Sequence, residues 1–122
     1  MSEQHGTRET RRLCLVVNPH SAAGSTGRRL AELERAADRY FERWEIRTTT
    51  GVGHATELAT RAVEDGFEII ASVGGDGTAS ETVNGLFDGS TPRNPETIFA
   101  VVPAGTGSDL VKTLKTPRDF DS

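Results

Sequence analysis

Lysine is almost missing from this chain: of 14 basic side chains only Lys112 and Lys115 are lysines, and neither follows a glycine-rich loop. That excludes the G-x-x-x-x-G-K-[ST] loop, whose lysine must reach a bound phosphate. Cysteine occurs once, as Cys14, so no intrachain disulfide framework exists and a reducing compartment suits the chain. Cys14 falls inside an apolar run and reads as a small buried hydrophobe rather than a reactive thiol. No apolar run approaches the ~20 residues that span a bilayer. The first dozen residues carry charge without an apolar centre, so they read neither as a signal peptide nor as an anchor. The expected location is cytoplasmic, and any membrane contact is peripheral. Net charge is −4 and the arginines form no stripe, which removes nucleic acid from the expected partners. His5, His20 and His54 lack ligand spacing, so no zinc site is expected. No G-x-G-x-x-G opens the first helix, which disfavours a dinucleotide-binding Rossmann domain.

What is present is an alternation. After a polar tail, residues 1–11, one domain is expected over residues 12–122, a length sufficient for one core. Apolar runs at Leu13–Val17, Glu68–Val73 and Ile98–Val102, and the alternating segment Trp44–Thr48, read as strands. Helices are expected from about Gly27 to Tyr40, after Gly53, from Thr78 through Phe87, and from about Ser108. The segment after Gly53 places Ala55, Leu58, Ala59, Ala62 and Val63 on one stripe, with Gly66 as its C-terminal cap. Asp88–Thr97, with two prolines, reads as a mobile, exposed loop. Near-continuous apolar strands between amphipathic helices predict an α/β fold: a parallel sheet covered on both faces, with ligands beyond the carboxyl ends of its strands.

Three strand ends carry unusual loops: Asn18-Pro19 through Gly24, Gly74-Gly75-Asp76-Gly77-Thr78, and Pro103 through Asp109. In the second, glycines let backbone N–H groups approach a bulky ligand, and the helix behind supplies an N-terminus suited to phosphate. Thr78 and Glu81, three apart, predict a capping box. Asp76 is a carboxylate where an anion should sit, which makes sense as a Mg²⁺ partner, a proton acceptor or an orienter of the loop. The third loop repeats this chemistry with Gly105-Thr106-Gly107 and Asp109. Arg28 and Arg29 are the only basic pair placed to meet a triphosphate, and a solvated helix face explains them equally well.

These three motifs, in this order over residues 12–115, resemble the catalytic domain of diacylglycerol kinases, a superfamily that includes other lipid kinases. NAD kinases share its G-G-D-G-T element, and the Gly105–Asp109 loop fits the lipid kinases better. The resemblance implies a three-layer nucleotide-binding domain for ATP and Mg²⁺, the N-terminal half of an enzyme that phosphorylates a lipid hydroxyl such as that of diacylglycerol. Carried over by position, it implies that Gly74, Gly75, Asp76, Gly77 and Thr78 contact phosphates, that Gly105, Thr106 and Gly107 face the nucleotide, and that Asn18 orders the first loop. Thr49 matches a nucleotide-contacting threonine, although a solvated threonine at a strand end explains it as well. Asp76 is the catalytic candidate, and the metal ligands stay unassigned. Ser80 and Ser108 stand where the family usually has Asn. The lipid would be bound through a C-terminal β-rich domain that this chain is expected to lack, leaving it inactive alone. The competing readings are an NAD kinase-like enzyme and a non-catalytic nucleotide-binding module; a homodimer stays open.

Overall fold

Strand β1, Leu13–Val17, is apolar at every position and buried at every position, as a strand covered on both faces must be. A computed structural model of the chain describes residues 8–20 and 29–103. Helix α1 covers Leu30–Tyr40, β2 Trp44–Thr48, α2 His54–Glu64, β3 Ile69–Gly74 and α3 Asp76–Gly85. A two-strand hairpin, β4 (Phe87–Asp88) and β5 (Thr91–Pro92), precedes β6, Ile98–Pro103. The predicted helix from Ser108 and the start of the first helix near Gly27 lie outside the described residues.

The main sheet has the order β2-β1-β3-β6, with every pairing parallel. The α/β expectation therefore holds. β1 and β3 are central, which explains why all their residues are buried, whereas edge strand β2 is only partly buried. The chain steps from β1 outward to β2, then back past β1 to β3. Because β-α-β crossovers are right-handed, this reversal puts α1 on one face and α2 and α3 on the other. The buried clusters follow that division. Leu33 and Ala37 of α1, with Phe41 just past its end, pack on Leu13, Leu15, Val17 and the matching face of β3 and β6. Ala55, Ala59 and Ala62 of α2 pack with Cys14, Val16 and Ile70.

Small residues let α2 and α3 approach closely. A Cβ on Gly85 would collide with the Thr56 carbonyl oxygen and lie 2.8 Å from Ala59 Cβ. The crossing is hydrogen-bonded: Thr56 Oγ1 donates to the Glu81 carbonyl at 2.8 Å, and Thr60 Oγ1 to the Gly85 carbonyl at 2.9 Å. At the far end of α2, Gly66 takes φ +92°, its N–H donates to Val63 O at 3.1 Å, and Phe67 N–H donates to Ala62 O at 3.0 Å. Those two bonds make a Schellman cap, as Gly66 predicted.

Asp88–Thr97 is exposed as expected, but it contains a hairpin rather than an irregular loop. Gly89 at φ +66° turns the chain between β4 and β5. Arg93 then ties the segment to the end of α3, its N–H donating to Leu86 O at 2.9 Å and its Nε to Gly85 O at 3.0 Å. Phe87, read as the last helical residue, belongs to this hairpin instead.

Cys14 is fully buried, and burial pushes its thiol from the ordinary 9.0 up to about 12. The native state then keeps a proton that the unfolded chain releases, so stability is intact below pH 9 and falls as pH rises toward 12. The slope approaches about 1.4 kcal/mol per pH unit. Urea unfolding between pH 8.5 and 11 should show a steeper loss for the wild type than for Cys14→Ala; parallel curves would contradict the assignment.

Candidate nucleotide site

The order β2-β1-β3-β6 reverses between β1 and β3, so the crevice beyond their carboxyl ends is the switch point of the sheet. Backbone bonds extend the ladder into the loops there. Asn18 N–H donates to Val73 O at 3.0 Å, and Thr49 N–H donates to Val17 O at 2.8 Å. The ends of β1, β2 and β3 are thereby fixed side by side.

A cleft of about 280 Å³ opens over this edge. One wall is Asn18 and His20 from the β1 loop, and another is Gly77, Thr78 and Glu81 from the first turns of α3. The third is Thr49, Thr50, Gly51 and Val52 from the β2 loop. Asn18, Thr49, Gly77 and Thr78 are thus brought together from segments up to 60 residues apart. Asn18 orders its own loop, its Oδ1 accepting the His20 N–H at 3.0 Å. Thr49 is buried, not a solvated strand end.

Helix α3 begins at Asp76, with Gly75 as N-cap and no side-chain cap. Its first N–H groups therefore point out of the helix unsatisfied by it, toward whatever occupies the loop. The predicted capping box is absent. Thr78 lies inside the first turn, buried, and its carbonyl accepts from Thr82 Oγ1 at 2.7 Å. Glu81 reaches away from Thr78: its Oε2 accepts the Gly53 N–H at 3.0 Å. The spacing was right for a box, but the helix is capped three residues earlier, at Gly75, which moves Thr78 out of the cap position.

The three glycines of the loop differ in what requires them. A Cβ at Gly74 would come within 2.7 Å of Thr78 Oγ1 and 3.4 Å of Asn18 Cβ, so close packing demands glycine there. Among the described residues, a Cβ at Gly75 or Gly77 would meet nothing within 4 Å. Asp76 is exposed as the first residue of α3, outside the cleft lining, where an acid also suits the helix dipole. Arg29, considered for a triphosphate, is engaged by Glu32 at 3.2 Å. Gly105, Thr106 and Gly107, with Arg28, lie outside the described residues.

Sequence reasoning passed over Glu81 as a cleft residue and most of the β2 loop. Gly51-Val52-Gly53, in the short loop between a strand and a helix, was the available signal.

The sequence matches the profile of the diacylglycerol kinase catalytic domain over residues 12–122. The chain belongs to that family. Among named members of this diacylglycerol kinase family, the diacylglycerol kinase of Bacillus subtilis (strain 168) is 31% identical over 109 residues, covering 89% of this chain and 35% of the relative. A diacylglycerol kinase of Staphylococcus aureus (strain bovine RF122 / ET3-1) is 29% identical over 110 residues, 90% of this chain and 34% of the relative. The fold superposes on a diacylglycerol kinase crystal structure from Bacillus anthracis str. Sterne with a TM-score of 0.65 at 27% identity, over 79% of this chain and 34% of that one. The chain spans about a third of the length of the curated relatives it matches. Among the described residues no helix is long and apolar enough to cross a membrane.

Proposed function

We propose that this domain binds ATP–Mg²⁺ for transfer of its γ-phosphoryl group to a lipid hydroxyl such as that of diacylglycerol, within a lipid kinase. The observation that carries the reading is Gly77. It lies in the first turn of a helix, where glycine costs about 0.5–1 kcal/mol against alanine, and among the described residues no neighbour requires it. A glycine that packing does not need, on the wall of a cleft at a helix N-terminus, keeps the backbone bare for something approaching from outside. The polarity of that site suits phosphate.

Phosphoryl transfer needs positioning and charge neutralisation more than covalent help. The α3 amides, with Gly75 and Gly77 leaving room, would hold the phosphates, and Asn18, Thr49 and Thr78 would line the bound nucleotide. Gly105, Thr106 and Gly107 would close it from the last loop. Mg²⁺ is held by one or two carboxylates together with substrate phosphates. Among the described residues no three His, Cys, Asp or Glu side chains form a ready-made metal group. The exposed Asp76 carboxylate fits a cation that arrives on the triphosphate and supplies the positive charge of the missing lysine. The lipid, a peripheral membrane contact and a cytoplasmic location belong to the same proposal.

Gly77→Ala tests the central observation because its two effects have opposite signs. Stability should rise by up to about 1 kcal/mol, while calorimetric affinity for ATP–Mg²⁺ should fall about tenfold. Unchanged affinity would count against phosphate at this loop. In the full-length protein, ATP consumption with diacylglycerol but not with NAD is expected; nucleotide binding without turnover on either would favour a non-catalytic module.

A further inference from the structure

Helix α2 has Gly53 as its N-cap, at φ +84° and without a side-chain cap of its own. Its cap comes from another helix. Glu81 of α3 accepts the Gly53 N–H at 3.0 Å, 28 residues away, which is the bond a capping-box glutamate normally makes within its own helix. The third residue of α2, Thr56, returns a hydrogen bond from its hydroxyl to the Glu81 carbonyl at 2.8 Å. Side chain and backbone of one residue thus bind the start of α2 to α3. The Thr49–Gly53 loop, which forms the β2 wall of the cleft, is held at the same point.

Among the described residues two helix N-termini border this cleft, and a carboxylate already occupies that of α2, so of these two an incoming anion is left with α3. The β2 wall then faces the uncharged end of whatever binds. Val52, at the tip of that wall, is 101% exposed among the described residues, a branched apolar side chain with nothing over it. Gly51 and Gly53 on either side have no neighbour within 4 Å of a Cβ. A loop this sparsely packed depends on its few bonds for position.

The geometry points to Glu81 as the positioning residue of the cleft: through the Gly53 amide it clamps the β2 wall, with Val52, against the nucleoside end of a nucleotide whose phosphates sit on α3. This rests on the ATP-binding reading and adds to it the polarity of the bound nucleotide. The test compares wild type, Glu81→Ala and Glu81→Gln of this chain, using ATP–Mg²⁺ and inorganic tripolyphosphate by calorimetry and amide hydrogen exchange by NMR. Glu81→Ala should bind ATP about tenfold more weakly, hold tripolyphosphate as the wild type does, and exchange the Gly53 amide faster. Glu81→Gln keeps an acceptor oxygen and should restore ATP affinity and Gly53 protection. Equal ATP affinity in Glu81→Ala and wild type, or equal losses for ATP and tripolyphosphate, would overturn the clamp. A wild type that binds neither ligand defeats the ATP reading instead, and Gly53 exchange in the unliganded variants then decides the clamp alone.

Discussion

Gly85→Ala is expected to destabilise the domain by about 1–3 kcal/mol, one of the largest losses a single methyl group can cause here. The added Cβ would collide with the Thr56 carbonyl oxygen and sit 2.8 Å from Ala59 Cβ. Backbone cannot rotate away as a long side chain can, so α2 and α3 must separate. Separation would also stretch the Thr56 and Thr60 hydrogen bonds that span the crossing. Helix propensity favours alanine by about 1 kcal/mol, which offsets part of the cost without reversing it. The same substitution at Gly77, in the same helix, should have the opposite sign because its Cβ meets nothing. Urea unfolding of both variants measures the contrast. A gain in stability for Gly85→Ala would mean that the helices are farther apart than described.

Asp76→Asn in the full-length protein is expected to lower kcat by at least about 10²-fold while leaving the fold intact. The two side chains have the same shape, and Asp76 is exposed, so no packing changes. The cost to the helix is limited to the lost favourable charge in its first turn, about 0.3–1 kcal/mol. If the triphosphate sits on the α3 amides as proposed, removing the nearby carboxylate does not weaken their attraction for phosphate, so ATP should still bind. Turnover lost with binding and thermal midpoint kept would place Asp76 in the chemistry, as a metal ligand or an orienter of the acceptor. Near-normal turnover would remove it from the mechanism.

The parts legible in the sequence were those set by short-range physics. Leu13–Val17 and the run ending at Val73 were readable as buried strands because unbroken apolar stretches have few other stable placements. Gly66 was readable as a cap because its neighbours were an amphipathic stripe and a strand, and φ +92° is a conformation glycine adopts freely. The glycine loop was readable because residues with no side chain, between a strand and a helix, leave a recognisable gap. The misreadings came where two local signals competed. Thr78 and Glu81 had capping-box spacing, yet Gly75 took the cap, and Glu81 found a donor in another element. The prolines of Asp88–Thr97 read as an irregular loop, while Gly89 and the Arg93 bonds made a hairpin.

Residue order by itself determined a parallel α/β domain with a glycine-rich loop between β3 and α3, since hydrophobic period and glycine placement act over a few residues. Only the tertiary structure decided that Thr49 joins the cleft and that Glu81 serves α2. It also decided that Gly85 is required by packing whereas Gly77 is not. Those facts depend on β1 lying between β2 and β3 and on α2 crossing α3, contacts between segments tens of residues apart. Local periodicity says which face of an element is buried. It carries no information about which other element covers that face.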